Sequence, residues 1–178
     1  MSGHNKWSKI KRKKEALDGK KSKIFGKHSS LIANEVKKAG GDTAAANVRA
    51  AVERAKADSM PQDNIERALQ KGKGGGAEMT EVIFEAFGPG GTAILATALT
   101  DNNNRTSQEV RHIFTKLNYA MGTPGSASWA FLKQDGRYIP TAPMTLSDED
   151  GEKLAELVDA LEDHDDIQDV FTAADDVE

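Results

Sequence analysis

Positive charge is confined to one end of this chain, and that confinement limits which part of it can build a core. Residues 1–76 hold 18 Lys and Arg against 8 Asp and Glu, while residues 77–178 hold 6 against 20, so the overall charge of -4 conceals halves of +10 and -14. From Lys6 to Lys27 ten basic residues meet only two acids, Glu15 and Asp18, with Trp7, Ile10, Leu17, Ile24 and Phe25 as the few large apolar side chains. Such a run cannot bury enough apolar surface to fold by itself. A basic arm joined to an acidic domain reads as a polyanion-binding segment attached to a body that phosphate would repel.

The composition changes at Lys71-Gly72-Lys73-Gly74-Gly75-Gly76, where four glycines in five positions maximise backbone freedom and offer little to pack. The expected organisation is therefore residues 1–76, a basic arm and helical domain ending in a glycine-rich linker, followed by residues 77–178, an acidic domain. The absence of cysteine removes disulfides, thiolate zinc sites and cysteine nucleophiles in one step. No stretch approaches the ~18 consecutive apolar residues of a membrane span. No apolar segment follows the charges of Met1-Ser2-Gly3-His4-Asn5-Lys6-Trp7, so a secretory signal is not expected and a cytoplasmic location is.

In the basic half, Ile24, Phe25, His28, Leu31, Ile32 and Val36 recur at the spacing of one helical face, and Ala39-Gly40-Gly41 supplies a stop. A second helix is expected after an Asp42 or Thr43 cap, with Ala44, Val48, Ala51, Val52 and Ala55 on its stripe. A third opens at Ser59-Met60-Pro61, with Ser59 as cap and Ile65, Ala68 and Leu69 inward.

In the acidic half, Val82 to Phe87 and Thr92 to Thr100 read as strands joined by Gly88-Pro89-Gly90-Gly91. A helix from about Asn104 to Leu117 follows, with Val110, Ile113, Phe114 and Leu117 inward. Ala127 to Leu132 alternates, placing Trp129 and Phe131 on one face, and Arg137 to Thr145 pairs with it across Lys133-Gln134-Asp135-Gly136. Ser147 and Asp150 form a loose capping box ahead of a stripe of Leu154, Leu157, Val158 and Leu161, and Ile167 to Thr172 closes as a strand. The fold class is α+β: a three-helix domain with a basic arm, then a ferredoxin-like antiparallel α/β sandwich.

The candidate nucleic-acid-binding residues are Lys6, Trp7, Lys9, Lys11, Arg12, Lys13, Lys14, Lys20, Lys21, Lys23 and Lys27. Several cations on one surface release counterions from phosphate, and an interleaved Trp can stack on an exposed base. A second cluster, Asp101-Asn102-Asn103-Asn104-Arg105-Thr106, either holds an anion at Asn104 and Arg105 or simply caps a helix with Asn102 to Asn104. His4, His28, His112 and His164 fall in four separate elements without ligand spacing, and each reads as structural or solvated. Asp163 to Asp169 departs from an EF-hand loop, and Gly88 to Gly91 lacks the lysine and hydroxyl of a P-loop. No metal, cofactor or catalytic residue is expected. Without a helix-turn-helix, RNP or KH signature, phosphate contact is expected rather than base readout.

Gly3-His4-Asn5-Lys6-Trp7-Ser8-Lys9-Ile10-Lys11, Asp18 to Phe25, Met60-Pro61-Gln62-Asp63-Asn64-Ile65-Glu66-Arg67-Ala68, Gly88-Pro89-Gly90-Gly91, Thr100 to Thr106 and Glu109-Val110-Arg111-His112 together resemble the YebC/PmpR family. The resemblance implies a helical N-terminal domain with two α+β domains and a nucleic-acid partner. Members of that family are described as DNA-binding transcriptional regulators; others, including a mitochondrial translational activator, work with ribosomes. This sequence departs from the pattern where a further α+β domain is usually inserted, between the strand ending near Leu132 and the one beginning near Tyr138: only Lys133-Gln134-Asp135-Gly136-Arg137 lies there. Asn103 also stands where the family more often has a basic residue. Three readings follow: a DNA-binding transcriptional regulator, a ribosome-associated translation factor using the same arm on ribosomal RNA, and a protein-interaction module with an acidic face.

Overall fold

The computed structural model describes residues 18–75 and 78–175. The arm positions Lys6, Trp7, Lys9, Lys11, Arg12, Lys13 and Lys14 lie outside the described residues, as does Gly76. The chain forms two compact units, one comprising Leu17–Thr80 with Leu99–Asp101 and the other holding the rest of the α+β region.

The helical unit contains α1 (Asp18–Lys38), α2 (Ala46–Ala57) and α3 (Gln62–Lys73) around a core of Ile32, Val36, Val48, Ala51, Ala55, Met60, Ile65 and Ala68. α1 begins earlier than the apolar spacing from Ile24 predicts. Once the packed turns from Phe25 to Val36 have nucleated, each further residue costs little to add, and lysines are good helix formers. Two expected caps are replaced by other devices. Asp42 accepts a 2.8 Å bond from the Ala44 N–H in a turn, and α2 starts only at Ala46 without a side-chain cap. Ser59 ends α2 instead of starting α3: it adopts φ 63°, while the Met60 N–H reaches back to Ala55 O at 2.9 Å. Met60, buried in the core, holds that reversal in place.

Gly72 also differs from its reading as part of a linker. It is buried within α3, and a Cβ there would lie 2.6 Å from both Ala33 O and Val36 Cβ. Glycine here is a close-packing residue that lets α3 approach α1, and the helix stops only at Gly74.

The α+β region contains β1 (Thr80–Phe87), β2 (Ala93–Thr100), α4 (Asn103–Lys116), β3 (Phe131–Gln134), β4 (Arg137–Pro140), α5 (Asp148–Glu162) and β5 (Ile167–Thr172). One sheet has the order β1-β2-β5, with β2 and β5 antiparallel and Ile94 opposite Thr172; β3 and β4 form a separate antiparallel pair. The α+β class with antiparallel sheets is as expected, and the strands divide between two sheets because the central strand is covered on both sides. Ile94, Ala96 and Ala98 face Val110 and Phe114 of α4 and Leu154, Leu157 and Leu161 of α5. Ala93 and Leu95 pack instead with Ala127, Ala130 and Phe131, so the β3–β4 hairpin contributes to a second apolar layer rather than extending a sheet edge. Tyr138 of β4 meets Phe171 of β5 edge to face, 5.3 Å between ring centres.

Two strand expectations are corrected. Ser128–Ala130 is a 3-10 turn, so β3 begins only at Phe131; Phe131 is buried while Trp129 is 71% exposed, and the two do not share a face. β4 stops at Pro140 instead of reaching Thr145, because Pro140 and Pro143 have no N–H to donate to a ladder. The β3–β4 turn uses Asp135 (φ 50°) and Gly136 (φ 76°), the left-handed pair that matches a two-residue hairpin. The expected Ser147 cap is present, accepting from the Asp150 N–H at 3.1 Å. Among the described residues no helix is long and apolar enough to cross a membrane.

Candidate nucleic-acid interface

Lys20, Lys21, Lys23 and Lys27 all fall in the first turns of α1. Their spacing distributes them unequally. Lys23, Lys27, Ser30, Asn34 and Lys37 follow the i, i+4, i+7, i+11, i+14 pattern that keeps residues on one side of a helix, with Lys20 flanking them and Lys21 turned away. This line of donors runs along a different side from the apolar stripe of Phe25, His28, Ile32 and Val36. Sequence reasoning found the first two members through their charge. It missed Ser30, Asn34 and Lys37, whose shared spacing is the signal that identifies them.

α1 is held firmly enough to present such a line. His28, 6% exposed, places Nε2 2.6 Å from Asp58 Oδ2 at the end of α2. Asn47 donates from Nδ2 to Glu35 O at 3.1 Å and to Glu35 Oε2 at 2.7 Å, tying the start of α2 to α1.

The second candidate cluster is occupied by the chain itself. Asn102 accepts from the Arg105 N–H at 3.1 Å, which makes it the N-cap of α4. The Arg105 guanidinium meets Asp166 Oδ2 at 2.6 Å and lies 3.8 Å from Glu109. Of the two readings of this cluster the cap is present at Asn102, the group beside Arg105 is an internal carboxylate, and Asn104 is an exposed first-turn residue. Thr106 donates its hydroxyl to the same Asp166 oxygen at 2.6 Å. Burial pushes the Asp166 carboxyl upward, but the Thr106 hydroxyl and Arg105 guanidinium outweigh it, and the pKa is lowered overall.

His164, distant in sequence from α4, completes this clamp. Its Nδ1 accepts the Asp166 N–H at 3.1 Å, which leaves the proton on Nε2 to be donated to Glu109 Oε2 at 2.9 Å. Glu109, His164 and Asp166 bring three potential ligand atoms within 4.8 Å of one another. Each is already engaged by a neighbour, and the adjacent Arg105 carries the charge that a cation would bring. The cluster is an ion-pair clamp between α4 and the segment leading into β5.

Sequence reasoning also missed Glu85. This carboxylate is 7% exposed within β1 and accepts three backbone N–H groups, from Gly125 and Ala127 at 2.7 Å and Ser128 at 2.8 Å. Burial raises its pKa, yet the three N–H bonds prevail and hold it below the usual Glu value. Its backbone carbonyl receives the Gly122 N–H at 2.7 Å, so one residue fixes the whole 122–128 loop. An acid set between Phe84 and Ala86, in the apolar part of the strand, is the signal that could have found it.

The comparisons with known proteins agree with this architecture. A model of the TACO1/YebC protein N-terminal domain matches residues 5–75, and one of the TACO1/YebC second and third domain matches residues 79–135 and 132–174, two stretches that meet at the β3–β4 turn. Proteins named "Probable transcriptional regulatory protein" are similar to this chain. One from Caldanaerobacter subterraneus subsp. tengcongensis is 35% identical over 235 aligned positions, covering 96% of this chain and 97% of that protein. One from Thermotoga maritima is 37% identical over 235, covering 97% and 93%. Those alignments are longer than the 178-residue chain, so each relative carries residues without a counterpart here. Another relative, from Thermoanaerobacter pseudethanolicus, is 50% identical over 136 residues, and there the match spans 75% of this chain and only 55% of the relative. The crystal structure of a conserved hypothetical protein from Aquifex aeolicus superposes with a TM-score of 0.78 at 27% identity, over 90% of this chain and 93% of that one. On the family models and the relatives together, the chain belongs to the TACO1/YebC family.

Proposed function

We propose that this chain is a nucleic-acid-binding regulator of gene expression that contacts phosphate with its basic arm and α1, acting on DNA in transcription. The observation that carries the reading is the continuity of donors: the basic run from Lys6 to Lys27 leads into the line Lys23, Lys27, Ser30, Asn34 and Lys37 on one side of α1. A phosphate backbone is a line of regularly spaced negative charges, and such a row of donors matches it. The acidic second unit supports the division of labour, because it would be repelled by the same polymer. The names of the relatives favour transcription. Ribosomal RNA is the second reading, favoured by the make-up of the line itself: lysines, a serine and an amide suit phosphate contact and supply no arginine fork for reading guanine. In neither reading does the chain act as an enzyme.

The test is binding to duplex DNA and to ribosomal RNA fragments across a salt series. Replacing Lys11, Arg12, Lys13 and Lys14 with Ala should weaken binding to every sequence and make the log–log salt slope shallower by up to about 3.6, at ~0.9 for each phosphate no longer neutralised. An unchanged slope would remove those four residues from the interface. Tighter binding to ribosomal RNA than to DNA at equal salt would select the translation reading.

A further inference from the structure

Asn34 is 5% exposed, yet its Nδ2 has no hydrogen-bond partner; among the described residues only Ser126 Oγ shares that condition. A buried amide donor left unpaired is costly, so its position calls for an acceptor. Asn34 lines a cavity of about 60 Å3, with Ser30, Ala33 and Lys37 of α1, Lys71 and Gly72 of α3, and Met79 around it. No carboxylate is among its lining residues. The close approach at Gly72 creates this arrangement: it draws α3 against α1 and brings Lys71 to the same mouth as Lys37. The volume is well above the ~10–15 Å3 that a single water requires, so a small oxyanion has room.

We infer that this cavity between α1 and α3 is a phosphate subsite, which takes one phosphodiester of a bound nucleic acid. Its donors are an amide, a hydroxyl and two ammonium groups, a set that complements an oxyanion and offers little to a cation, while Ala33 and Met79 supply apolar wall. The cavity also lies at the end of the donor line on α1, where a backbone tracking from Lys23 and Lys27 past Ser30 would arrive. The inference rests on the nucleic-acid reading and adds a fixed point to it. Lysines at the rim supply attraction that salt screens, whereas Asn34 supplies a directional bond from a buried, uncharged group. One backbone phosphate would thereby be held in register while the others remain interchangeable.

The test follows the Asn34 side-chain amide of the full chain by 1H–15N NMR during titration with a short DNA duplex, the matching RNA and inorganic phosphate, with sodium chloride at equal ionic strength as control. The expected result is a saturable shift of that amide with nucleic acid and none with chloride. Asn34→Asp, nearly isosteric, should weaken nucleic-acid binding about tenfold by turning a donor into a repelling charge. Asn34→Leu, which suits a buried position, should weaken it by a smaller factor. Lys71→Ala should reduce the salt slope by about 0.9. If nucleic acid binds but the amide does not move and Asn34→Asp binds like the parent chain, the subsite is overturned while the broader reading stands. If the chain binds neither DNA nor RNA, the broader reading fails. A shift with inorganic phosphate alone would then keep the oxyanion site and overturn its assignment to a phosphodiester. A shift equal to that with chloride overturns the site altogether.

Discussion

In the α+β unit, Arg105 gives its guanidinium to Asp166 at 2.6 Å and Lys153 its ammonium to Glu149 at 2.6 Å, while Lys133 lies 5.6 Å from the centre of the Tyr138 ring. In the helical unit Lys23, Lys27 and Lys37 share one side of α1 with Ser30 and Asn34, and Lys71 comes to the same cavity from α3. The helical unit braces itself with cations too, Lys38 with Glu35 at 3.1 Å and Lys56 with Glu53 at 2.9 Å, but it also repeats donors along one side of a helix. Charge count alone does not separate these uses; spacing along one side of a helix does. Where the helix repeats its donors on one side, the row has a polymer's geometry.

The largest predicted effect belongs to the bracing of the α+β unit. Glu85→Ala leaves three N–H groups of the 122–128 loop without their acceptor and should destabilise the protein by about 3 kcal/mol, read by denaturant unfolding. Its pH dependence has a definite sign. The folded carboxyl lies below the ordinary Glu value of 4.5, so its contribution is complete above that value and is lost as pH falls through the folded pKa. Glu85→Gln should flatten this acid limb. A parental acid limb in the Gln variant would mean that the clamp does not depend on the charge.

A loss of about 1–3 kcal/mol separates the two tryptophans. Trp7→Ala should cost that much in binding to single-stranded nucleic acid if the arm stacks on a base. Trp129→Ala should leave binding unchanged, although Trp129 is 71% exposed and its Nε1–H is held by Ser126 O at 2.8 Å. An equal loss at both positions would erase the contrast between the units. The smallest effect is at the clamp on α4. Asp166→Ala should cost about 1 kcal/mol in stability, because Thr106 can still donate to Asn102 O, at 3.1 Å in the intact protein, and Arg105 is partly exposed to water. Binding to nucleic acid should stay the same, since Arg105 keeps Glu109 beside it, and a change in affinity would place the clamp in the interface.

Much of this architecture is legible in the sequence where one local rule decides the outcome. The stripe of Leu154, Leu157, Val158 and Leu161 behind the Ser147 cap, and the apolar run of β2, are read directly from spacing and composition. The misreadings come from contacts that no local rule contains. Ser59 resembles an N-cap in sequence, but the buried Met60 beside it makes it the end of α2. Gly72 resembles linker until the backbone of α1 is found against it. Trp129 fits an alternating pattern, but the loop fixed by Glu85 feeds it into a 3-10 turn. In the candidate site, charge revealed Lys20, Lys21, Lys23 and Lys27. Asn34 is polar, uncharged and buried, and only the packing of α3 against α1 makes it conspicuous.

The measurement closest to the central claim is photo-crosslinking of the full chain to bound DNA and RNA, with the crosslinked peptides mapped by mass spectrometry. The account predicts crosslinks within residues 6–37 and near Lys71, with residues 81–175 crosslinked only weakly if at all. Crosslinks concentrated in residues 81–175, with the arm and α1 untouched, would contradict it.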